Sequence, residues 1–133
     1  MTEEAVSISG PLGELRGMHH GPDAPDQGWM AIVLQGFFSS THVGPARLYV
    51  HIARLLAKQG IEVLRMDCFG VGDSDGEFDA TTYETQLDDY LTIIDATRVR
   101  VPARHLMLVG HSLGTSLAIR LAVEEPAVKR IVL

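Results

Sequence analysis

Short apolar blocks alternate with longer mixed segments along the chain. Trp29 to Gln35 is apolar on both alternating faces, the pattern of a strand covered on both sides. Ile61 to Met66 and His105 to Val109 are further blocks of strand length, and Val128 to Leu133 begins another. Between them run helical patterns. One starts at Pro45, suited to the first helical position, and stops at Gly60, with Leu48, Ile52, Leu55 and Leu56 on one face. A second opens at Thr81, with Glu84 three residues on as a capping box, and carries Tyr83, Leu87, Tyr90, Leu91 and Ile94. A third covers Thr115 to Val123 and ends before Pro126. Ahead of these, Ala5 to Ser9 and Glu14 to His19 flank Gly10-Pro11-Leu12-Gly13 and predict an antiparallel hairpin.

Strands alternating with helices build β-α-β units with right-handed crossovers. The expected fold is therefore α/β: one doubly wound, mostly parallel sheet with helices on both faces, in a single domain over residues 1–133. Ligands of such sheets sit at the carboxyl ends of the strands. Gln35-Gly36-Phe37, Asp67 and Ser112 all fall there.

Composition narrows the function classes. A net charge of −6 argues against a nucleic-acid groove or an anionic membrane surface as partner. The start, Met1-Thr2-Glu3-Glu4, does not read as a signal peptide, and no apolar run has the length of a membrane span. With one cysteine, Cys68, no internal disulfide forms, and the expected location is cytoplasmic. No cofactor or metal is expected. His19 and His20 lack a partner at ligand spacing, and Asp73-Ser74-Asp75-Gly76 lacks the glutamate that closes a calcium loop. Gly70-Val71-Gly72 is followed by Gly76, one position late for a dinucleotide fingerprint.

The chemistry lies in Gly110-His111-Ser112-Leu113-Gly114, which fits G-x-S-x-G with a strand before it and a helix after it. So abrupt a reversal forces Ser112 into a strained conformation and brings neighbouring turns together, which accounts for glycine at 110 and 114. It also lifts the Ser112 hydroxyl clear of the sheet at a helix N-terminus, where unpaired N–H groups favour a developing oxyanion.

With Gln35-Gly36-Phe37 and the segment Arg65-Met66-Asp67 through Gly70, Gly72, Ser74 and Gly76, this motif makes the chain resemble the α/β-hydrolase family. The likeness is closest to the esterase and serine-aminopeptidase-like branch, which includes feruloyl esterases. The resemblance implies Ser112 as nucleophile, the backbone N–H groups of Phe37 and Leu113 as oxyanion hole, and a structural role for Asp67 and the loop after it. The family commonly has histidine where Gln35 stands and arginine where Phe69 stands. Its acid and histidine follow later strands, whereas the 19 residues after Gly114 contain no histidine. The expectation is therefore the N-terminal part of such a hydrolase, with the triad acid and base outside this chain and the chain alone inactive. Of the upstream histidines, His42 lies nearest the mouth of the expected site. The expected substrate is a small acyl ester. Thioesterase, peptidase and acyltransferase chemistry share the acyl-enzyme step and stay open, as does a non-catalytic binding module. Val128 to Leu133, with no further strand beside it, predicts self-association through an open sheet edge.

Overall fold

A computed structural model describes residues 2–36 and 41–133. The two-face apolar pattern becomes a six-stranded sheet: β1 (Glu3–Ser9), β2 (Glu14–His20), β3 (Trp29–Leu34), β4 (Glu62–Met66), β5 (His105–Gly110) and β6 (Val128–Val132). Their spatial order is β1-β2-β4-β3-β5-β6. The β1–β2 hairpin forms as expected and joins β4 antiparallel, and β4, β3, β5 and β6 run parallel.

Among the described residues three α-helices cover the sheet: α1 (Leu48–Lys58), α2 (Tyr83–Arg100) and α3 (Leu113–Glu124). Strand pleating divides the core between two faces. Ile32, Leu34, Leu64, Met66, Leu106 and Leu108 pack with Leu87, Tyr90 and Ile94 of α2 and with Leu117 and Leu121 of α3. Ala31, Val33, Val63 and Met107 point the other way, towards Tyr49 and Ala53 of α1. Among the described residues no helix is long and apolar enough to cross a membrane.

Three sequence expectations need correction. The segment Pro45–Arg47 is a 3-10 turn, with Ala46 and Arg47 at φ of 49° and 61°, so α1 begins at Leu48. The Tyr49 amide there donates to Val43, outside the helix. The buried stripe of α1 is Tyr49, Ala53 and Ala57, whereas Leu55 is 63% exposed. Small residues let the helix lie close to the sheet, and the leucines beside them are left at the margin. The cap of α2 is Thr82, paired with Thr85, because the Thr81 hydroxyl is spent on the Phe69 carbonyl.

The two-sided cover also buries titratable groups. Asp89 of α2 is 1% exposed and accepts the Phe69 N–H through Oδ2, while Oδ1 has no partner among the described residues. Burial pushes its carboxyl up to about 6. His20 is fully buried, and desolvation with the nearby Arg65 charge lowers it to about 4. The two act oppositely on stability. Asp89 binds its proton more tightly when folded, so its contribution falls as pH rises from about 4 to about 6. The unfolded chain protonates His20 more readily, so that contribution rises from pH ~4 to ~6.5. Asp89→Asn should therefore uncover a stability that climbs steadily over this window. At pH 7 the variant should gain on the order of 2–3 kcal/mol, read from urea midpoints at pH 4.5 and 7. A pH profile parallel to that of the parent chain would contradict this assignment.

Candidate active site

The reversal from β5 to α3 places Ser112 at φ 56° and ψ −119°, one of three non-glycine residues at positive φ among those described. The crowding expected at the motif is present. A Cβ on Gly110 would lie 2.5 Å from the Gly114 carbonyl oxygen. One on Gly114 would lie 2.7 Å and 2.8 Å from the carbonyl oxygens of Gln35 and Leu34. Glycine at 114 thus lets the first turn of α3 seat directly on the end of β3. The Ser112 side chain makes no cap, and no described residue hydrogen-bonds its Oγ; the residue is exposed.

His111 precedes it, and its ring Nδ1 lies 3.1 Å from the Tyr49 hydroxyl in an edge-on contact between the rings. Tyr49 thereby ties α1 to the turn, a link that its place in an ordinary helical pattern did not announce. Gly36 fits between these two side chains, where a Cβ would meet Tyr49 Oη at 2.6 Å and His111 Nδ1 at 2.7 Å.

Of the two amides implied as oxyanion donors, Phe37 lies outside the described residues. The Leu113 N–H is present at the head of α3 and donates to the Gly36 carbonyl at 2.8 Å. A substrate oxyanion at that amide must displace the Gly36 carbonyl.

Beside the turn, Asp67 is fully buried at the end of β4. Its Oδ1 accepts from Gln35 Nε2 at 3.2 Å and from the His42 amide at 2.7 Å, and its Oδ2 accepts from the Asp73 amide at 2.9 Å. Burial pushes its carboxyl up, opposed by those two amides. The Gln35 N–H in turn donates to Tyr90 Oη at 3.0 Å. The acidic stretch Asp73-Ser74-Asp75 continues as a turn docked on β2. Ser74 Oγ accepts from the Arg16 amide and donates to the Asp67 carbonyl, and Asp75 pairs with the Arg16 side chain.

His42 Nε2 faces Asp67 and Asp73 at 3.9 Å and 3.7 Å. The donor atoms of these three residues lie close enough together to raise the question of a metal. The other ring nitrogen answers it. Nδ1 accepts from Arg65 Nη1 at 2.7 Å, so a neutral ring carries its proton on Nε2, the atom a metal would need. The guanidinium adds a second obstacle. This is a hydrogen-bonding cluster, and it commits His42 to the loop. Arg65 reaches His20 as well, donating from Nε to its Nε2 at 3.0 Å, and His19 contacts Glu62. An arginine inside an otherwise apolar strand was the sequence signal for this buried polar layer. Cys68 is buried beneath it, its thiol pushed well up by desolvation.

The family model of serine aminopeptidase, S33, matches residues 38–133. Among solved structures, an α/β serine hydrolase without a lid from Xanthomonas campestris is 28% identical, with a TM-score of 0.79. The match covers 93% of this chain and 57% of that one. Est1E from Butyrivibrio proteoclasticus, solved with ferulic acid, is 24% identical with a TM-score of 0.82, over 95% of this chain and 50% of that one. An esterase from Pyrococcus furiosus is 21% identical with a TM-score of 0.83, over 98% and 47%. The chain thus spans about half the length of these structures. No curated protein matches it.

Proposed function

The chain belongs to the serine aminopeptidase S33 family of α/β-hydrolases, and from that membership we propose that it carries the nucleophile of a serine hydrolase acting on carboxylic esters, with Ser112 forming the acyl-enzyme. The observation that supports this most is the backbone of Ser112, held at φ 56° with its side chain exposed at the carboxyl end of β5. A strained conformation at an exposed polar residue needs a compensating use, and display of a nucleophile is one.

In the proposed reaction Ser112 Oγ attacks the ester carbonyl as a base removes its proton, and the carbonyl oxygen takes up the negative charge. The Leu113 N–H, with the start of α3 behind it, stabilises that charge once the Gly36 carbonyl withdraws. Collapse expels the alcohol, which takes the proton back, and water then releases the acid by the same path. Among the described residues no base adjoins Ser112. His42 is held by Arg65, and the His111 ring is turned to Tyr49. In this reading the proton acceptor belongs to the part of the fold beyond these 133 residues, as the family order implies.

Treatment of the whole protein with a fluorophosphonate, followed by peptide mapping, should place the adduct on Ser112. An adduct on another serine, or none at all, would overturn the assignment and favour the binding-module alternative.

A further inference from the structure

We propose that a cavity beneath the C-terminal end of α2 is a binding site for a small zwitterion with an apolar side chain, the chemistry of a free apolar amino acid. It lies at the amino ends of β3 and β4, whereas Ser112 follows the carboxyl end of β5. The proposal is independent of the serine-hydrolase reading.

Strand register brings the lining together. Directly opposed residues share one face of a sheet. Glu4 of β1 stands opposite His19 of β2, His19 opposite Leu64 of β4, and Met30 of β3 opposite Glu62. Four strands thus contribute to one floor, and Val6 and Ile8 extend it along β1. From above come Thr97, Arg100 and Val101, which share one side of α2 at its end because they are three and four positions apart. The enclosed volume is about 190 Å³. An apolar cavity of roughly 150 Å³ admits benzene, so a single ring on a short arm fits here.

The floor selects the body of the ligand. Ile8, Met30 and Leu64 are buried hydrophobic side chains and offer no hydrogen bond, while a trapped water needs two to four polar partners. The polar groups select its ends. The Thr97 hydroxyl already donates to the Ile93 carbonyl at 2.7 Å, and the Glu62 carboxylate contacts His19 Nε2 and Arg104 Nε. Glu4 and Arg100 keep their charges unused. Both are exposed and line the same cavity, yet neither pairs with the other or with any further described residue. A ligand that offers an ammonium to Glu4 and a carboxylate to Arg100 matches both, with its side chain on the apolar floor. A simple cation or anion would leave one of the two unmatched.

The test is calorimetric titration of the whole protein with L-phenylalanine, compared with 3-phenylpropionate, phenethylamine and glycine. Phenylalanine should bind with a Kd of about 0.1–1 mM, as expected for so small a ligand. Each one-charge analogue should bind about 5-fold more weakly, the worth of one exposed ion pair, and glycine should not bind. Glu4→Gln should weaken phenylalanine about 5-fold and leave phenylpropionate unchanged, whereas Arg100→Gln should weaken phenylalanine equally and leave phenethylamine unchanged. Both residues are exposed, so these variants keep the fold. Val6→Phe fills the cavity from β1 and should abolish binding without lowering Tm; should it not fold, the two charge variants decide. No saturable binding up to about 10 mM phenylalanine, retained binding in a folded Val6→Phe, or equal affinity for phenylalanine and both analogues would overturn the proposal.

Discussion

On the proposed acyl-enzyme mechanism, replacing Ser112 by alanine in the whole protein should reduce ester turnover by about four to six orders of magnitude, since only binding and the oxyanion donors would remain. KM should change little, and p-nitrophenyl ester hydrolysis is a sufficient assay. A second substitution separates display from chemistry. Ser112 sits at φ 56° and ψ −119°, a region that costs a side-chain-bearing residue roughly 1–3 kcal/mol. Ser112→Gly should be as inactive as Ser112→Ala but more stable than the parent, with a thermal midpoint higher by a few degrees. Gain of stability with loss of turnover is the expected mark of strain kept for function. An active alanine variant would remove Ser112 from the mechanism, and a glycine variant no more stable than the parent would remove the strain argument.

Gly17→Ala should unfold the protein or come close to it. Gly17 pairs with Met66 where β2 meets β4, and a Cβ there would lie 1.9 Å from the Arg65 carbonyl oxygen and 2.7 Å from Met66 Cα. These are backbone atoms of a central strand and cannot swing aside. The β2–β4 ladder must open, and with it the buried layer around His20, Arg65 and Asp67. The expected loss exceeds about 4 kcal/mol, a large part of the 5–15 kcal/mol that holds a domain together. Gly28→Ala is the control. It carries φ of +77° but has nothing within 4 Å of its added Cβ, so it should cost only about 1–2 kcal/mol. Equal denaturation midpoints for the two variants would show that β2 does not pack on β4 this closely.

The buried polar layer explains why only part of the candidate site's geometry was legible in the sequence. Ser112, Gly110 and Gly114 were readable because the constraint on them is local: a strand, a turn and a helix within a few residues leave steric room for few side chains. Asp67 was visible as a motif residue, but its partners lie 32 and 25 residues earlier. No periodicity links Gln35, His42 and Asp67. The contact that occupies His42 Nδ1 was likewise not legible, because it depends on Arg65 arriving from β4.

Local rules fixed the number and order of elements, the β1–β2 hairpin, the two-face burial of the central strands and the Ser112 turn, since each follows from side-chain spacing within a few residues. The tertiary structure alone decided that β4 lies between β2 and β3, that α1 turns Leu55 outward to seat Ala53 and Ala57, and that Thr82 rather than Thr81 caps α2. It also placed the Gly36 carbonyl on the Leu113 amide and gathered Gln35 and His42 on Asp67. These depend on which distant segments meet, and a chain's local pattern carries no record of that until the sheet closes.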